Sequence, residues 1–98
     1  MSRILNLLED VDADTDGDAV RWTGGEGTFV AWGTDFGGGT VKLQLSPDDG
    51  TTWIDVGEAT NLTANGAAGF RIMDGWLIRA VLVSATAPDG VTATAWGQ

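Results

Sequence analysis

The stretch Thr40-Val41-Lys42-Leu43-Gln44-Leu45-Ser46-Pro47-Asp48-Asp49-Gly50-Thr51-Thr52-Trp53-Ile54-Asp55-Val56 decides the fold. Val41, Leu43 and Leu45 alternate with Lys42, Gln44 and Ser46, the period-two pattern of a strand with one buried face. Thr52, Ile54 and Val56 alternate in the same way with Trp53 and Asp55. Between the two runs, Pro47-Asp48-Asp49-Gly50 places Pro and Gly where tight turns use them. The segment therefore predicts a β-hairpin.

The same alternation of short apolar runs and turn residues extends in both directions. Further strands are expected over residues 19–22, 28–33, 69–73, 76–84 and 91–96, with 4–8 as a possible first strand. Their separators are Gly24-Gly25, the run from Asp35 to Gly39, Asp74-Gly75 and Pro88-Asp89-Gly90. Asp74-Gly75 between two apolar runs predicts a two-residue hairpin, because both residue types tolerate positive φ. No helical period lasts longer than about two turns. The expected fold is all-β: an antiparallel β-sandwich or small barrel of about seven to eight short strands. Residues 76–83 are apolar on both faces apart from Arg79, which predicts either a central strand or a face covered by another subunit.

Ninety-eight residues fit one domain, with residues 1–9 as a possible N-terminal arm and 10–18 as an acidic loop. The five Trp residues and a 43% hydrophobic fraction suffice for one core, and 15 Gly residues suit many turns. Fourteen acidic residues against five basic ones give a net charge of −9. Such a surface is repelled by phosphate backbones and anionic membranes, so neither nucleic acid nor membrane is an expected partner. Cysteine is absent, which removes disulfides and thiolate chemistry and leaves packing or assembly to hold the chain. The start of the sequence has too short an apolar patch for a signal peptide or membrane span, and synthesis in a cytoplasm is expected.

Residues Ser46, Asp48, Gly50, Thr52 and Trp53 match, at each defined position, the Asp-box Ser-x-Asp-x-Gly-x-Thr-Trp known from sialidases and related repeat proteins. The spacing builds a hairpin: the Asp48 carboxylate accepts turn amides, Gly50 supplies a left-handed backbone, and Trp53 covers the loop. A single copy with no internal repeat is a structural device and implies no sialidase activity. Residues 10–18 superficially resemble the start of an EF-hand or dockerin calcium loop, with Asp12, Asp14, Asp16 and Gly17 at loop positions one, three, five and six, and Asp18 as a further acid. Position twelve is Thr23 instead of a bidentate acid, and no flanking helix is evident. An unpaired acidic loop is the competing reading. Gly24-Gly25-Glu26-Gly27 and Gly37-Gly38-Gly39 read as turns, since neither precedes a Lys-Ser or Lys-Thr pair or a helix start. Trp22, Trp32, Trp53, Trp76 and Trp96 could form a carbohydrate-stacking platform, against the reading that Trp at strand positions fills cores and interfaces. With no His, Cys or Tyr, the usual general bases and nucleophiles are missing. No enzymatic activity and no cofactor are expected.

The path from Gly39 through the Asp-box to Val56, then Arg71, then Ile78-Arg79-Ala80 and on to Thr86, resembles small virion proteins of tailed bacteriophages. In that group a strand of the form Thr-Val-x-Leu-Gln-x-Ser leads into Asp-Gly-x-Thr-Trp, and a late strand carries Val-Arg or Ile-Arg-Ala. The resemblance covers roughly residues 28–96. It implies a virion component with a β-sandwich-like body, and a short, self-contained, acidic chain points within that group to head decoration, the cement proteins of the capsid exterior. The implied partner is the major capsid protein. A homotrimer is expected because it matches the threefold positions of an icosahedral shell, with Arg3, Ile4, Leu5, Leu7 and Leu8 at a subunit or capsid contact. The alternatives are a carbohydrate-binding module and a tail or fibre accessory module.

Overall fold

A computed structural model describes residues 3–22, 25–72 and 75–97. The chain is an antiparallel β-sandwich. Its strands are β1 (Arg3–Val11), β2 (Thr15–Asp16), β3 (Val20–Arg21), β4 (Gly25–Trp32), β5 (Thr40–Ser46), β6 (Ile54–Asp55), β7 (Asn61–Leu62), β8 (Gly66–Ile72), β9 (Leu77–Val83) and β10 (Val91–Gly97), with a short 3₁₀ turn at Glu58–Thr60. One sheet runs β1-β10-β4-β8. In the other, β9 pairs β2, β3 and β5, and β5 also pairs β6 and β7. The count exceeds the seven to eight expected because β2 and β7, which no sequence pattern announced, are two-residue ladders, too short to show any periodicity.

Each sheet contributes one alternating face to the core. Leu7, Leu8, Phe29, Ala31, Ala93 and Ala95 from the four-stranded sheet meet Val41, Leu43, Ile78, Ala80 and Leu82 from the other, and all are buried. The β5 and β9 faces agree because Val41, Leu43 and Leu45 stand opposite Leu82, Ala80 and Ile78 in register. The doubly apolar segment is thus a central strand, paired with β5 on one side and β2 and β3 on the other.

Three sequence expectations fail here, each for a physical reason. Within the expected arm of residues 1–9, the described part is not a separate arm. Residues from Arg3 onward form β1, paired with β10, and register shifts after Asn6 and after Leu8 turn the consecutive Leu7 and Leu8 both into the core, as bulges do. Asp74-Gly75 does not close a β-hairpin: β8 pairs β4 and β9 pairs β5, so the chain changes sheets there. Gly75 has φ 92°, and Asp74 lies outside the described residues. Finally, Gly25, Glu26 and Gly27 are strand, not turn. A Cβ on Gly27 would lie 2.7 Å from Phe70 Cζ and 2.8 Å from Trp22 Cη2. Glycine there makes room for two aromatic rings whose centroids are 5.0 Å apart, while Gly37 and Gly38 do form a turn, with φ 64° and 73°.

Candidate functional site

The Asp-box hairpin is built as its spacing predicts. Ser46, 1% exposed, accepts the Gly50 N–H at 2.7 Å and donates its hydroxyl to Asp48 Oδ1 at 2.9 Å. Asp48 Oδ1 also accepts the Thr52 N–H at 2.7 Å. The Thr52 hydroxyl, its backbone N–H and the Ser46 hydroxyl together hold the Asp48 carboxyl below its ordinary value. Asp49 and Gly50 take positive φ, 58° and 94°. All of these contacts join the turn to itself, and a turn satisfied this way gains rigidity from its polar atoms.

Beyond the turn, a polar ladder crosses the outer face of the second sheet. Lys42 lies 3.5 Å from Asp55, Gln44 donates to Asp55 at 2.8 Å, and Arg79 donates from Nε to Gln44 at 3.0 Å. Arg79 also stands 4.0 Å from Asp16. Arg21 pairs with Asp49 at 3.3 Å and donates to the Gly75 carbonyl. Among the described side chains, Arg71 is the cation left without an ion pair or hydrogen bond.

The acidic segment is split among separate tasks. Asp12 Oδ1 accepts the Gly90 N–H at 3.1 Å, and Asp14 Oδ1 accepts the Ala85 N–H at 2.9 Å. Asp16 lies in β2 facing Arg79, and Asp18 is exposed. The structure gives Asp12 and Asp14 to two different points of the 84–90 loop, and among the described residues no three acidic side chains assemble as a ligand group. Thr23, the residue at loop position twelve, lies outside the described residues.

Of the proposed contact residues, Leu7 and Leu8 are core and Leu5 packs partly against it. The Leu7 and Leu8 side chains are thus packed inside this domain, while Leu5 keeps part of its surface. Ile4 is 52% exposed; the Arg3 side chain is not among those described. The five Trp residues divide likewise. Trp22 is fully buried, Trp53 and Trp76 are half-buried, and Trp32 and Trp96 are each 42% exposed.

Ile4, Trp32 and Trp96 share the outer face of the four-stranded sheet, a surface that sequence reasoning did not assemble. Ile4, Trp96, Thr28 and Gly69 stand side by side across its four strands, and Asn6, Thr94, Val30 and Ala67 form the next row. Neither row carries a charge, in a chain that is 19% charged. Charge depletion with exposed Trp is the composition of binding surfaces. The hidden signal was the pairing of β1 with β10, the two ends of the described chain, which no local pattern reveals. Past Trp96, an open groove of about 580 Å³ runs between Trp96, Thr28, Gly69, Arg71 and Glu26.

No protein-family model, curated protein or solved structure matches this chain.

Proposed function

We propose that this chain is a non-enzymatic virion protein of a tailed bacteriophage, a capsid decoration (cement) protein that seats on the outer face of the assembled head. The Asp-box path and the Ile78-Arg79-Ala80 strand support the virion reading by resemblance. The observation that carries a docking role is at β1. This strand lies at a sheet edge; Gly17 packs against the Leu7 carbonyl, but no backbone hydrogen bond reaches the strand's outer side among the described residues, and its Ile4 stands 52% exposed. An open edge with an apolar side chain is a template for strand addition by a partner surface. The acids support a non-catalytic role: Asp12, Asp14, Asp35 and Asp48 each accept a backbone N–H. A protein that binds only the assembled lattice stabilises it by mass action, and on the shell exterior its negative charge meets no packaged DNA.

Three copies around a threefold position complete the proposal. Co-sedimentation with purified heads lacking this protein tests it. The wild-type chain is expected to pellet with heads and raise their melting temperature, and Ile4→Asp is expected to lose both effects while staying folded. Pelleting with tails alone, or with neither, overturns the head assignment. Turnover of common glycoside substrates abolished by one carboxylate substitution overturns the non-enzymatic reading.

A further inference from the structure

We infer that the groove over Gly69, between Trp96 and Arg71, binds a neutral hexopyranose unit of a glycan chain. Trp96 is fixed in place: its Nε1–H donates to Thr94 Oγ1 at 2.8 Å. The indole thereby reaches back along β10 over Thr94, which is 3% exposed despite lying on the outer face. Its one donor is spent internally, so what Trp96 offers a ligand is a ring face, and a π-face attracts the C–H-rich side of a pyranose through its negative quadrupole.

Gly69 forms the floor, and nothing in the fold demands a glycine there. A Cβ would meet no atom nearer than the Gly27 carbonyl at 4.0 Å, and its φ lies outside the left-handed region. The missing side chain keeps the groove open. At its end, Glu26 and Arg71 stand opposite each other in register, on the same face as Thr28 and Gly69, and Arg71 has no partner among the described side chains. Sugar hydroxyls both donate and accept. A carboxylate that only accepts beside a guanidinium that only donates matches a pair of them.

Charge separates a saccharide from the other planar ligand that stacks on Trp, a nucleobase. A polynucleotide brings one phosphate per base toward a protein of net charge −9, whereas a neutral glycan meets no repulsion. The volume of about 580 Å³ falls within the usual range of ligand sites. The groove is open along its length, which suits an internal unit of a chain. Ile4 lies on the β1 side of Trp96 and the groove on the β8 side, so this site does not depend on the shell contact.

The test is an NMR titration of the isolated protein, following the Trp96 indole N–H and the Gly69 amide. The probes are maltohexaose, cellohexaose, mannohexaose and N-acetylchitohexaose at up to about 10 mM, a range that captures millimolar affinities. At least one is expected to shift both signals saturably. Trp96→Ala and Gly69→Val are each expected to weaken it at least about tenfold, the scale of losing one aromatic contact. Trp32→Ala, on the same face but outside the groove, is expected to leave binding unchanged. Gly69→Val keeps its melting temperature if the open space is real. The inference is overturned if none of the four probes shifts these signals, if binding survives Trp96→Ala and Gly69→Val, or if oligothymidylate shifts them in place of the sugars.

Discussion

The guanidinium of Arg79 lies 4.3 Å from the centroid of the Trp53 ring, which ties the Asp-box hairpin to the central strand of its sheet. Arg79 is held from two other sides, by Gln44 and Asp16, so the planar cation is oriented before the ring is added. Such a stack is worth about 0.5–1 kcal/mol at a partly exposed site. A double-mutant cycle of Arg79→Ala and Trp53→Ala, read by urea unfolding, is expected to show coupling of that size. Strict additivity of the two single changes would refute the stack as an energetic link. Arg79→Lys is expected to lose most of the coupling, since an ammonium cannot lie flat on the ring.

Ser46 is the buried centre of the hairpin. Its hydroxyl serves the Gly50 N–H and the Asp48 carboxylate at once. Ser46→Ala leaves the Gly50 donor without that acceptor, and the expected loss is about 1–3 kcal/mol. Thermal or urea unfolding measures it; an unchanged midpoint would show that water replaces the hydroxyl at no cost.

Asp48 sets an acid limit. Its folded value lies below the ordinary 3.8, so the stability it contributes is complete above that value and lost as pH falls through the lowered folded value. Asp48→Asn is expected to flatten the decline in urea midpoint below about pH 3.8 relative to the parent. Parallel declines in the two proteins would assign acid sensitivity to other carboxylates.

The segment from Asp12 to Asp16 is expected to fold without calcium, because Asp12 and Asp14 already accept the Gly90 and Ala85 amides. Melting curves in chelator and in excess calcium are expected to coincide, and a calcium-dependent rise would make these acids ligands after all. Asp12→Ala and Asp14→Ala are each expected to cost at most about 1 kcal/mol, given their exposure.

Gly27→Ala is expected to destabilise strongly, by about 1–3 kcal/mol or more, since the new Cβ meets Phe70, Trp22 and the Trp96 carbonyl all within 3 Å. The substitution Gly38→Ala makes a useful contrast. Nothing lies within 4 Å of that Cβ, and its cost comes from φ 73° alone.

The sequence showed those features that short stretches of chain determine by themselves. The Val41–Leu45 alternation, the Asp-box turn and the apolar segment before Ser84 all read correctly, because period-two patterning and turn chemistry are local. What stayed hidden was set across sheets. The Gly25–Gly27 run looks like a turn until the Trp22 and Phe70 rings are known to lie on it. Leu7 and Leu8 look like a sticky arm until β10 is placed beside them. The groove at Gly69 draws its residues from β4, β8 and β10, so no contiguous motif could announce it.

The placement of β10 has a consequence for how the molecule is made. It is the last of the described strands in sequence order, yet it sits inside its sheet, between β1 and β4. The β5–β9 ladder needs nothing beyond Val83, so at a synthesis rate of about 5–20 residues per second that sheet can form first, its apolar face waiting for cover. Strand β1 finds its partner only when residues 91–97 have been made, a pairing of large sequence separation, and such pairing slows folding. A net charge of −9 opposes the association of chains whose apolar face is still uncovered.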